Sequence, residues 1–181
     1  MQREHSSGKD SQAAASHKHA SPKKVKVALF TVSSSRFRDS ALRDESGEIA
    51  KDLCEKAGHE YSHRVIDDAK SMIRLSLFKA LYEDNSDAVV FLGGTGLSAR
   101  DVTIEAILPV LDKRLDGFGE IFRRLSFDSI GSAALMTRAI AGTIESKVVY
   151  CLPGSPDAAK LGMELLLKEL PHVVFILKGT P

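Results

Sequence analysis

The chain has 181 residues, 43% of them apolar and 27% charged, with a formal net charge of +1. That size fits one globular domain that buries well over half of its unfolded surface, with no need of a metal or disulfide to hold it together. No stretch approaches the roughly 20 continuous apolar residues of a membrane span, and the N-terminus lacks the apolar core of a signal peptide, so a soluble cytoplasmic protein is expected.

In chain order, the first two dozen residues hold no branched aliphatic or aromatic side chain and are rich in Ser, Ala, His and Lys. A disordered tail over 1–23 and a folded domain over 24–181 are therefore expected. Arg3, Lys9, Lys18, Lys23 and Lys24 against Glu4 and Asp10 put +3 on the tail and leave −2 on the rest, a poor balance for binding nucleic acid. His5, His17 and His19 read as solvated imidazoles rather than metal ligands.

From Val25 onward, short β-branched runs alternate with segments of helical period, the pattern of βαβ units. Residues 25–32 (VKVALFTV) form the first expected strand, followed by a long polar loop. A helix then places Ile49, Leu53 and Ala57 on one face and stops at Gly58. YSHRVI (61–66) is a second strand, with Asp67 and Asp68 where a helix N-cap belongs. The next helix carries Met72, Leu75, Leu77, Phe78 and Leu81 as its buried stripe. DAVVFLG (87–93), the most continuously apolar run so far, is the expected central strand. Helical spacing resumes at Val102, is interrupted at Pro109, and returns in LDGFGEIFRRLSF (115–127). KVVYCLP (147–153) is a fourth strand, GSPDAAKLGMELLLKEL (154–170) a helix and HVVFILK (172–178) a last apolar element. The expected fold is α/β: three layers, with a mostly parallel sheet and helices on both faces. The two cysteines, Cys54 and Cys151, have no metal or redox spacing and read as free, buried thiols.

Gly93, Gly94, Thr95 and Gly96 follow the central strand directly, where open α/β sheets bind ligands. Glycines there let backbone amides approach an oxyanion, the following helix adds the positive end of its dipole, and Thr95 adds a hydroxyl. A tight turn without a ligand has the same local sequence, and GGTG is neither GxGxxG nor a Walker loop. The polar cluster just beyond it, Ser98, Arg100, Asp101, Thr103 and Glu105, adds weight. Asp101 and Glu105 are four apart and fall on one helical face, which also suits simple helix capping. A carboxylate beside a phosphate-binding turn calls for a cation between them, and Mg²⁺ fills that role in most nucleotide sites. Asp68, or its neighbour Asp67, ends the second strand and could supply another carboxylate at the same sheet edge. Pro153, Gly154 and Ser155 form a second turn of the same kind, and Asp44, Ser46 and Gly47 close the long first loop, as a third wall or as a helix cap.

DESG (44–47), GGTG (93–96), RDVTIE (100–105), DGFGEIFR (116–123) and LPGSP (152–156), in this order, resemble the MogA/MoaB family of molybdenum cofactor biosynthesis proteins. The likeness runs from about Lys24 to Leu170, and the FGEIFR form leans toward MoaB. The resemblance implies a molybdopterin-binding fold, an oligomer built on a trimer (homotrimer or homohexamer), and Mg²⁺-dependent transfer of an adenylyl group from ATP to molybdopterin with release of pyrophosphate. Under it, Asp68 and Asp101 are the catalytic and magnesium-binding carboxylates, and Gly93, Gly94, Thr95 and Gly96 hold phosphate. Arg100, Thr103 and Glu105 are substrate-binding, Pro153, Gly154 and Ser155 contact the pterin or its phosphate, and Asp44, Ser46 and Gly47 line the same cleft. No covalent nucleophile is required, so neither Ser33 to Ser35 nor Cys151 is read as one. The competing reading is a non-catalytic molybdopterin carrier or scaffold, and a third is an unrelated nucleotide-binding α/β domain.

Overall fold

The computed structural model describes residues 21–179. The expected tail, apart from residues 21–23, and the histidines at 5, 17 and 19 lie outside the described residues.

Six strands form one sheet in the order β2-β1-β3-β6-β5-β4: β1 (Lys26–Val32), β2 (Glu60–Ile66), β3 (Ala88–Leu92), β4 (Lys113–Arg114), β5 (Ile140–Ile144) and β6 (Lys147–Leu152). The first, second, third and sixth run parallel, while β5 pairs antiparallel with β6, and β4 with β5. Leu29, Val90 and Tyr150 stand in register across β1, β3 and β6. Side chains alternate between faces along each strand, so apolar runs without polar interruption serve two cores at once. Val27, Leu29, Val90, Tyr150 and Leu152 face one core, and Ala28, Phe30, Val89, Phe91 and Cys151 the other.

Helices cover both faces. On the first lie α2 (Glu45–Lys56), α5 (Asp116–Ile130) and α6 (Pro156–Lys178), through Ala50, Cys54, Phe122, Met163, Leu166, Leu170 and Val174. On the second lie α3 (Lys70–Phe78) and α4 (Thr103–Ile107), through Ile73, Leu77, Ile104 and Ile107. The expected α/β architecture holds, with the 87–93 run inside the sheet and both cysteines free and buried.

Several local expectations are corrected. The long first loop contains a short helix, α1 (Ser34–Arg38), whose N-cap Ser33 accepts from the Arg36 amide. Helix α2 turns Gly47, Ala50 and Cys54 to the sheet, leaving Ile49 and Leu53 half-buried and Ala57 exposed, because short side chains let the helix approach closely. In α3 the buried stripe is Ile73 and Leu77, joined by Ala80 and Leu81 on a π-helical turn (Lys79–Glu83). Leu75 and Phe78 are exposed and Met72 half-buried. The N-cap of α3 is Ala69, with no side-chain cap bond, so neither Asp67 nor Asp68 plays that part. The 154–170 helix and the last apolar element are one helix, α6, running through Pro171. Proline removes one backbone donor, but Leu166, Leu170 and Val174 at i, i+4 and i+8 keep a single buried face across it. Pro109 does end regular helix, in a 3₁₀ turn (Leu108–Val110). Strands β4 and β5 were not expected: one is two exposed residues, the other (IAGTI) has a glycine at its centre, which reads poorly as strand.

Candidate anion-binding cleft

The carboxyl ends of β3 and β6 meet as bare backbone. Gly93 donates its amide to Leu152 O at 2.9 Å. Its φ is +102°, and a Cβ there would stand 2.7 Å from Val32 O. A Cβ on Gly154 would stand 3.0 Å from Gly93 Cα. Both positions therefore need glycine, one for its left-handed conformation and contact, the other for the close approach of two turns. Thr103, fully buried at the start of α4, donates its hydroxyl to Gly93 O at 2.8 Å and its amide to Gly94 O at 2.9 Å. Those carbonyls are thereby turned back into the protein, away from the open side of the turn.

On that open side lies a cleft of about 400 Å³. Gly93, Gly94, Thr95 and Gly96 form one wall and Pro153, Gly154 and Ser155 another, with Asp101 beside them. Asp101 Oδ2 accepts from the Ser98 hydroxyl at 2.6 Å and the Ser98 amide at 3.0 Å. The Ser98 hydroxyl does most to hold the Asp101 carboxyl below its usual range; the Ser98 and Gly96 amides and the charge of Arg138 add to it, against partial burial. Asp101 is thus an anion at neutral pH beside an amide-rich turn. The dipole expected from the following helix is weak, because α4 has five residues and its Thr103 amide already bonds Gly94.

The other expected site residues are dispersed. Thr103 supports the turn from behind. Ser46 acts similarly from α2, donating its hydroxyl to Gly154 O at 2.6 Å. Glu105 accepts from Arg138 at 2.6 Å. Arg100 is exposed and outside the cleft lining. Asp68 is outside it too: at the end of β2, two strands from β3, its carboxylate and that of Asp67 both accept the Ser34 hydroxyl. The question of which of the two faces the cleft thus has a different answer: α1, hidden in the expected loop, supplies a partner that takes both.

Asp44 belongs to a second, larger cleft of about 870 Å³, together with Arg36, Phe37, Arg43 and His63. It caps α2 by accepting from the Gly47 amide at 3.0 Å, and its other oxygen lies 3.2 Å from His63 Nε2. His63 Nε2 is also 3.0 Å from the Thr31 hydroxyl. Burial opposes charge on Asp44, but the bonds with His63, Thr31 and the Gly47 amide outweigh it and hold its carboxyl at about 2. Gly47 is buried under both side chains, with no room for a Cβ. The N-terminus of α2 therefore stands between the clefts, touching one through Ser46 and the other through Asp44.

Among the described residues no group of three or more His, Cys, Asp or Glu side chains gathers to hold a metal ion. Burial pushes the Cys54 thiol up to about 12 and the Cys151 thiol higher still, so neither is a thiolate. Sequence reasoning missed Arg138, Thr137 and Met136, which also line the smaller cleft. They precede β5, and because β5 runs antiparallel to β6, with Ile140 opposite Cys151, its start lies at the edge where β6 ends. The signal was the threonine-arginine pair before IAGTI, unreadable until that run is recognised as a strand.

An open, mostly parallel sheet with a cleft outside the carboxyl ends of its strands is the arrangement in which α/β proteins of this class place their ligand sites. More particularly, residues 28–172 match the family described as "Probable molybdopterin binding domain", and the chain belongs to this family, on the MoaB side of the MogA/MoaB group. It is 44% identical over 161 residues to Molybdenum cofactor biosynthesis protein B of Bacillus subtilis, covering 87% of this chain and 93% of that protein. A crystal structure of a Molybdenum cofactor biosynthesis protein B matches with a TM-score of 0.81 and 41% identity, over 88% of this chain and 99% of that one. The tungsten cofactor synthesizing protein MoaB from Pyrococcus furiosus matches with a TM-score of 0.80 and 38% identity, over 87% and 99%.

Proposed function

We propose that this protein acts in molybdenum cofactor biosynthesis by binding molybdopterin, and that it transfers an adenylyl group from Mg²⁺-ATP to the pterin phosphate. The observation behind this reading is the pairing of a glycine-rich turn, its carbonyls drawn away by Thr103, with an ionised Asp101 and a second turn at 153–155. A pterin phosphate oxygen attacks the α-phosphorus of ATP, a new P–O–P bond forms, and the bond to the β-phosphate breaks to release pyrophosphate. Both partners are anions, so the reaction needs charge neutralisation and alignment more than a covalent nucleophile. The Gly93 to Gly96 turn and the 153–155 turn would hold phosphate oxygens, and the larger cleft beyond Ser46 offers room for the second substrate.

Magnesium in nucleotide sites is commonly held by one or two carboxylates together with substrate phosphates, and when bound it offsets the charge of the transferring phosphate. Asp101 fits such an ion arriving with ATP: it is ionised, partly exposed and next to the turn. Asp68 supports this less, since its carboxylate is engaged by Ser34 outside the cleft. That observation favours the second reading, a molybdopterin carrier without turnover. Ile121, Phe127, Ile130, Leu135 and Met136 are all more than half exposed, apolar surface of the kind that association into a trimer or hexamer would cover. The reading also places the protein in the cytoplasm; among the described residues no helix is long and apolar enough to cross a membrane.

The test is purified protein with molybdopterin, ATP and Mg²⁺, assayed for pyrophosphate. Asp101→Asn should keep molybdopterin binding and lose turnover by at least about a hundredfold, because the carboxylate matters chiefly in the transition state. Turnover equal to wild type refutes the role of Asp101, and no turnover in the wild type, with binding intact, establishes the carrier.

A further inference from the structure

We infer that Arg138 is a direct contact for the ligand's phosphate oxygens, the cationic third wall of the cleft between the 93–96 and 153–155 turns. The inference rests on reading that cleft as an anion site. Among the described residues that line it, Arg138 is the one cation and Asp101 the one carboxylate. The guanidinium is near enough for its charge to help hold Asp101 ionised. One of its nitrogens, Nη2, is anchored on Glu105 Oε1 at 2.6 Å. A guanidinium carries five N–H donors in a rigid fork, so a single anchored edge leaves others to meet a phosphate, and the anchor itself removes rotational freedom before the ligand arrives.

The pair is also poorly optimised as a purely structural ion pair. Glu105 Oε2 is buried without a hydrogen-bond partner among the described residues, whereas a pair kept for stability alone gains from a bidentate fork on both oxygens. The Arg138 side chain remains 30% exposed, at the cleft rather than beneath it. Its place comes from the topology: the antiparallel β5 returns the chain to the edge where β3 and β6 end, and so delivers a cation opposite turns that themselves hold none. Arginine is suited to this position because its planar fork matches two oxygens of a phosphate group, which a lysine meets only as a point charge.

The experiment measures binding, not turnover, with the full chain and inorganic pyrophosphate as probe, by titration calorimetry. Arg138→Gln should weaken pyrophosphate binding at least about tenfold, and Arg138→Lys, which keeps the charge without the fork, should recover part of that loss. In wild-type protein the Arg138 side-chain N–H resonance, identified by its absence from the Arg138→Lys spectrum, should shift as pyrophosphate is added. Wild-type binding with an unshifted Arg138 resonance, or with equal affinity in Arg138→Gln, overturns the inference and leaves the cleft reading intact. No pyrophosphate binding by the wild type overturns the anion-site reading and this inference with it.

Discussion

The two clefts at the carboxyl edge of the sheet differ in what they are made of. The one between β3 and β6 is walled mostly by backbone: Gly93 lies against Val32, Gly154 against Gly93, and Thr103 and Ser46 bond the carbonyls from behind. The one between α1, α2 and β2 is walled by side chains, several of them exposed, such as Phe37 at 50%. A backbone wall is rigid where its carbonyls are bonded from behind and its glycines packed against neighbouring backbone, as at Gly93, Gly94 and Gly154, whereas a side-chain wall can re-form around different ligands. The first cleft is thus suited to a constant chemical group and the second to a more variable part of a substrate.

The contrast can be broken most forcefully at Gly93. Gly93→Ala meets both a positive φ and a backbone oxygen at 2.7 Å, and should destabilise the fold by about 2–3 kcal/mol, read from the urea midpoint. A change below about 0.5 kcal/mol would mean that the turn is not rigid. Next in size is Thr103→Val, nearly isosteric, which strands the Gly93 carbonyl in a buried site and should cost about 1–2 kcal/mol while also weakening phosphate binding. A stability loss with binding untouched would separate the turn's shape from its ligand.

Asp44 sharpens the comparison from the other side. Its carboxyl is lowered from 3.8 to about 2 in the folded protein, so the ionised form adds stability above about pH 4, and this is lost as the pH falls toward 2. Stability followed by denaturant titration should decline through that window, and Asp44→Asn should make the decline shallower. An identical acid limb in the variant would show that the His63, Thr31 and Gly47 contacts do not hold the charge. The smallest effect belongs to Arg43→Ala: the side chain is 80% exposed, and its pairing with Glu45 at 3.5 Å should contribute less than about 0.5 kcal/mol to stability. A larger loss would mean that the side-chain cleft is as tightly built as the other.

Much of the fold and part of the site were legible before any coordinates. The runs at 25–32, 87–93 and 147–153 are strands because continuous β-branched and aromatic residues satisfy two cores, 61–66 is a largely exposed edge strand paired to the first, and the glycine turns after two of the buried runs fall at the sheet's carboxyl edge as parallel topology requires. The site's third side was hidden for a specific reason. IAGTI has small residues and a central glycine, and it is a strand because β6 and β4 pair with it, not because of its own propensity. With β5 unseen, Arg138 could not be placed. That Asp68 stands outside the lining of this cleft was unreadable for a similar reason, since only tertiary contact brings the Ser34 hydroxyl of α1 to it.

By itself, then, the amino-acid sequence determined the alternation of buried strands and helices, the family, and the two glycine turns, because each of these is written in local periodicity or in an ordered string of residues. Tertiary structure alone decided which polar side chains line the cleft and which are engaged elsewhere. Thr103, Ser46 and Glu105 look like binding residues in the sequence, yet the Thr103 and Ser46 hydroxyls donate to Gly93 O and Gly154 O, and one Glu105 oxygen is taken by Arg138. A hydrogen-bonding group is free for a ligand only when no nearer partner claims it, and partners far apart along the chain become neighbours only when the sheet forms.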